Sequence, residues 1–141
     1  MEDDPHDLAR FVAAQDGAYA AALAELRGGR KRGHWIWFVL PQLRGLGRSD
    51  MASFYGIAGP GEARAYLAHP VLGPRLRECV DALLAYAGQR SAEDMLGPVD
   101  AAKLRSCLTL FIESGGGEPF VGALEAFYAG QRDEQTIALL A

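Results

Sequence analysis

The chain has 141 residues, half of them apolar and 23% charged, with a formal net charge of −4 and an isoelectric point near 5.3. That balance fits one soluble globular domain and argues against a disordered chain, which buries too little apolar surface to offset its conformational entropy. An acidic total also argues against broad nucleic-acid binding, which neutralises phosphates and favours basic domains.

The chain opens on "MEDDPHDL", acidic and polar, the opposite of a secretory leader, so a soluble cytoplasmic protein is expected. Asp4 before Pro5 is a good helix start, and Leu8, Phe11 and Val12 then share one face. Asp16-Gly17 interrupts. A second helix carries Tyr19, Leu23 and Leu26 and stops at Gly28-Gly29. "WIWFVL" is the longest apolar run, six residues against the roughly 20 of a membrane helix. With no partner strand in sight, it reads as a buried helix ending before Pro41.

Ser49 can cap a short helix through "DMASFY", and Pro60 opens "PGEARAYLA". After Pro70, Leu72, Leu76, Cys79, Val80, Leu83 and Ala87 form one stripe. "SAED" has capping-box spacing with Asp in place of Glu. Leu104, Cys107, Leu108, Phe111 and Ile112 mark a helix that stops at a Gly triplet. Phe120, Val121, Leu124, Phe127 and Tyr128 mark another, and Asp133 caps a last one. Strand alternation and internal repeats are absent. The expected fold is all-α, a single compact domain over residues 1–141 with about seven or eight short helices.

Cysteine and histidine usage narrows the chemistry. Cys79 and Cys107 fall on apolar helix faces, as buried thiols do. His6, His34 and His69 lack metal-ligand spacing, and no Rossmann or Walker pattern is present, so neither a metal nor a cofactor is expected. Lys103 and Ser106 stand three apart, but a Ser-Lys nucleophile pair needs a desolvated Lys and an oxyanion hole that the sequence does not display. Glu62, Glu113 and Glu118 are carboxylates without a paired spacing.

One stretch departs from the acidic background. Residues 26–49 contain no Asp or Glu but hold six of the fourteen Lys and Arg, which leaves the rest of the chain at −10. Within it, His34 could act as general acid or base, because imidazole is the side chain whose ordinary chemistry suits proton transfer near neutral pH. Arg30, Lys31 and Arg48 offer donors for phosphate or carboxylate, and Gln42 offers an amide that both donates and accepts. Trp35 and Trp37 present indole faces ~200° apart on a helix, so at most one shares a wall with His34.

"FVAAQD", "LAELRGGRKRGHWIWFVLPQLRGLGRS", "EARAYLAHPVLGPRLREC" and "KLRSCLTLF" together resemble a bacterial family, domain of unknown function 1810, over almost the whole chain. The HWxWFxxPQLxGLGxS block is the most specific part. The resemblance implies a compact, mostly helical fold and brings no established activity or catalytic residue. Some members carry the label calpastatin, which does not suit this chain: an inhibitor of that kind is long, disordered and repetitive.

Two functions compete at this stage. The first is a pocket for a phosphate-bearing or nucleotide-like molecule, with Arg30, Lys31, Trp35, Trp37, Gln42 and Arg48 as ligand-binding residues; if it is an enzyme, the chemistry is hydrolysis or group transfer with His34 as acid/base. The second is a non-catalytic interaction module with structural Trp residues and a basic strip facing an acidic partner. Sequence fixes no oligomeric state.

Overall fold

A computed structural model describes residues 3–141; the first two residues of the acidic N-terminus lie outside it. Ten helices follow in order: α1 (Ala9–Asp16), α2 (Tyr19–Arg27), α3 (Ile36–Val39), α4 (Asp50–Phe54), α5 (Pro60–Ala68), α6 (Leu72–Leu84), α7 (Ala92–Leu96), α8 (Pro98–Glu113), α9 (Phe120–Tyr128) and α10 (Glu134–Leu140). The class is as expected and the count is higher, because three of the ten are one-turn pieces of four or five residues. The nearest approach to sheet among the described residues is a lone parallel bridge between Leu43 and Ile57.

Local chemistry sets most boundaries. The Asp4 carboxylate accepts from the backbone N–H groups of Leu8 and Ala9 at 2.8 and 2.9 Å, opening the turn before α1. Ser49 caps α4 and Asp133 caps α10, each through the N–H three residues on. Ser91 and Asp94 do form a capping box at α7. His69 Nδ1 accepts from Val71 and Leu72 N–H at 3.1 and 3.2 Å, so that histidine caps the approach to α6. α2 ends in a Schellman turn: Arg30 N–H reaches the Glu25 carbonyl, Gly29 N–H reaches Leu26, and Gly29 sits at φ +73°.

The core is built around α8, which packs on α5, α7, α9 and α10 and is buried on all sides from Ser106 to Phe111. Its buried hydroxyls are satisfied within the helix, Ser106 donating to the Ala102 carbonyl and Thr109 to that of Arg105. α6 instead buries one stripe, Leu72, Leu76, Cys79, Val80 and Leu83, while Ala87 lies beyond its end. A row of rings, Phe11, Tyr66, Phe111 and Phe120, runs through the centre and ties α1, α5, α8 and α9 together, with centroids 5.1–5.6 Å apart. Gln15, fully buried, donates to the Phe38 carbonyl at 2.6 Å and to Tyr66 Oη at 3.2 Å, while its own carbonyl accepts from Arg75. That amide ties α1 to the short α3.

Candidate functional site

The acid-free stretch has two destinations. Its first half, residues 30–35, turns across the end of α2 and is fastened by a carboxylate from just outside the stretch. Glu25 Oε1 accepts the backbone N–H groups of Arg32 and Gly33 at 2.7 and 2.8 Å and the indole N–H of Trp35 at 3.0 Å. Burial pushes the Glu25 carboxyl upward, but the hydrogen bonds from Gly33, Arg32 and Trp35 and the nearby Lys31 charge outweigh it and hold the group below its ordinary 4.5. The backbone turn at Arg32 and Gly33 thus holds an anion from its own chain.

Lys31 turns inward as well. Its ammonium pairs with Asp100 on the first turn of α8 at 2.8 Å, donates to the Gly33 carbonyl, and lies 5.0 Å from the Trp35 ring centroid. Its side chain is only 8% exposed. Lys103 approaches the other oxygen of Asp100 at 3.6 Å and sits 5.0 Å from the ring of Trp37. A Lys31–Asp100–Lys103 cluster therefore links the two indoles. Trp35, which precedes α3 as its N-cap, is buried, and Trp37, on the helix, is half-buried.

The remaining candidates disperse. Arg30 and Arg32 are exposed and flank a shallow depression of about 290 Å3 beside Glu25 and Gly28. His34 is exposed at the surface. Trp37 and Gln42, with Ala52, Tyr55 and Gly56, enclose only about 10 Å3. Arg48 is exposed in the loop before α4. Of the seven residues singled out in the sequence, Lys31, Trp35 and Trp37 meet around Asp100; Gln42 joins Trp37 alone.

The second half, residues 42–49, closes back on α4 and on Ile57 through Arg44 N–H to the Ile57 carbonyl and Ile57 N–H to the Gln42 carbonyl. It delivers Arg44 to a cleft of about 730 Å3 between the N-terminal turn, α4 and the start of α5. At the floor lies a buried ion pair, Arg10 with Glu62 at 2.7 Å. Arg10 donates all round: Nε to the Phe54 carbonyl, Nη1 to those of His6 and Asp7, Nη2 to that of Gly56 and to Glu62. Arg10 was not legible as a site residue. It follows Leu8 and Ala9 at the edge of the apolar face, and its partner stands 52 positions away. The other sequence carboxylates have structural places, Glu113 pairing with Arg132 at 3.3 Å and Glu118 accepting from Gly122 N–H at 2.9 Å.

Both cysteines are buried and free, and burial pushes the Cys79 thiol up to about 12 and that of Cys107 higher still. Among the described residues, no three His, Cys, Asp or Glu side chains gather as a metal would need. No helix among them is long and apolar enough to cross a membrane.

The sequence profile of the family described as "Protein of unknown function (DUF1810)" matches residues 5–140. The chain belongs to that family. Membership agrees with the resemblance carried by the HWxWFxxPQLxGLGxS block. It is also similar to a solved structure, the conserved hypothetical protein Rv1873 from Mycobacterium tuberculosis: 51% of residues are identical over 97% of this chain and 98% of that one, and the TM-score is 0.94. No curated protein matches. The DUF1810 fold in this chain is thus the ten-helix arrangement of the described residues, with residues 34–49 running from beyond the end of α2 to the start of α4.

Proposed function

We propose that this DUF1810 chain is a non-catalytic binding domain whose Arg30–Arg32–His34 edge docks on an acidic surface of a partner protein. The observation that carries this reading is the internal use of the groups a pocket would need. Lys31 is paired with Asp100, and the Trp35 indole and the 32–33 backbone N–H groups are held by Glu25. What is left for a partner is a row of exposed cations on a shallow surface, with Arg27 nearby in an exposed pair with Glu78. Such a surface recognises opposite charge and steers encounter, with strong dependence on salt.

A small phosphate-bearing ligand at the same place is the runner-up, favoured by the depression that Arg30 and Arg32 flank. One experiment separates the two. Wild-type protein and the Arg30→Glu/Arg32→Glu variant are immobilised and compared for retained partners at low and high salt, while melting is followed with phosphate, nucleotides and ADP-ribose. The docking reading expects partners on the wild-type column alone, released by salt, and no melting shift. A ligand at about 100 times its Kd would instead raise stability by roughly 2.7 kcal/mol. Such a shift, lost in the variant, would replace docking by small-anion binding.

A further inference from the structure

The cleft over the Arg10–Glu62 pair is more ordered than a surface hollow requires. All five guanidinium N–H groups of Arg10 are engaged, and all but one of their acceptors belong to residues lining the cleft: His6, Asp7, Phe54 and Glu62. Asp7 holds φ +50°, in the left-handed region that favours glycine, and this turn carries the carbonyls of His6 and Asp7 that Arg10 takes. Glu62 is satisfied too, with Arg10 on one oxygen and Ala58 N–H on the other. The buried pair therefore holds the walls rather than offering itself to a ligand.

The walls carry the groups that remain available. Phe54 is 55% exposed, an unusual place for a large ring, yet it is fixed at both ends. Its carbonyl accepts from Arg10, and its ring is braced edge-on by Tyr55 at 4.8 Å and 88°. Arg44 donates Nε to the Ser53 carbonyl at 3.0 Å, which sets the guanidinium plane and leaves both Nη groups without a partner among the described residues. The side chains of His6, Asp7 and Asp50 likewise engage no other described side chain, and all three line the cleft.

Charge decides the class of ligand. The lining holds two guanidinium groups, Arg10 and Arg44, against three carboxylates, Asp7, Asp50 and Glu62. A phosphate would face a negative surplus, and a cation would face the unpartnered Arg44. A neutral molecule whose groups both donate and accept satisfies both signs at once, and hydroxyls do this. A flat apolar face on the same molecule would cover the exposed ring. The cleft volume of about 730 Å3 lies within the range of small-molecule sites. We propose that this cleft binds a saccharide: the sugar ring stacks on Phe54, and its hydroxyls donate to Asp50 and Asp7 and accept from Arg44 and His6.

The test is a titration followed by amide chemical shifts, with methyl glucoside, methyl galactoside, N-acetylglucosamine and maltose as saccharides, and with inorganic phosphate and free arginine as charged comparators. Saccharide is taken to about 50 mM, well past a Kd of about 1 mM. The expected result is saturable shifts confined to residues 6–7, 44 and 50–54 with at least one saccharide and none with phosphate or arginine. Phe54→Ala should weaken that binding about tenfold, and Asp50→Asn by a similar factor, with melting close to wild type because both side chains are exposed. Silence from every saccharide overturns the proposal. So do the same shifts from phosphate or arginine alone, or a saccharide affinity that both variants leave unchanged. Charge reversal at Arg30 and Arg32 should leave this titration untouched.

Discussion

Glu25 offers the sharpest test of how the signature block is held. Glu25→Gln keeps the shape and one acceptor oxygen but removes the charge that faces Arg32 N–H, Gly33 N–H and the Trp35 indole. Hydrogen bonds to a charged group contribute about 1.5–3 kcal/mol each, and neutral ones about 0.5–1.5. The two backbone donors lie near the surface and can be hydrated, whereas Trp35 is 3% exposed and cannot turn to water. We therefore expect a loss of about 1–3 kcal/mol at pH 7, or roughly 3–10 °C in melting temperature for a domain of this size. The loss should depend on pH. The folded carboxyl titrates below the unfolded one, so its stabilisation is fully present above an unfolded value near 4.5 and disappears as pH falls through the lower folded value. Urea unfolding of both proteins between pH 7 and 3, read by Trp fluorescence, measures the gap directly. A gap that stays constant across that range, or is absent at pH 7, would refute the view that a charged acceptor fastens the block.

The remaining predictions concern the core and its seams. Arg10→Met strands four carbonyls and a carboxylate and should cost about 3–5 kcal/mol in urea unfolding, more than Glu62→Gln, which keeps an acceptor in place. Gly29→Ala would put a Cβ 2.8 Å from the Tyr86 ring at φ +73°, and that ring is held by its hydroxyl on the Arg27 carbonyl. A loss of about 1–3 kcal/mol by thermal melting is expected. Cys79 and Cys107 should resist a disulfide reagent at pH 7 in the folded protein and react promptly in urea, because both are buried and burial raises both thiols. Fast reaction of either in native buffer would mean that the core opens locally.

Helix class and most helix starts were legible because they rest on neighbours in sequence. Ser49, Asp133 and the Ser91–Asp94 box each satisfy backbone donors within three residues. The start of α8 was less so: Pro98 opens it, but its first turn faces outward at Val99, and the apolar stripe gathers strength only from Leu104. The candidate site was legible in part. Counting charge along the chain located an unusual stretch, but not its partners, since Glu25 stands one residue upstream of it and Asp100 more than fifty residues beyond it. The same limit hid the Arg10 cleft. Five donors converge there on acceptors from segments that the sequence keeps apart.

Burial of α8 on every side from Ser106 to Phe111 also bears on how the chain is made. Residues before α8 cannot complete their interior without it, and α8 leaves apolar faces bare until α9 and α10 arrive from the C-terminal end. The protein emerging during synthesis therefore has no half that can settle early and wait. It should fold as one late, cooperative event once nearly the whole chain is available, and shortening it from the C-terminus should yield aggregation rather than a smaller stable domain.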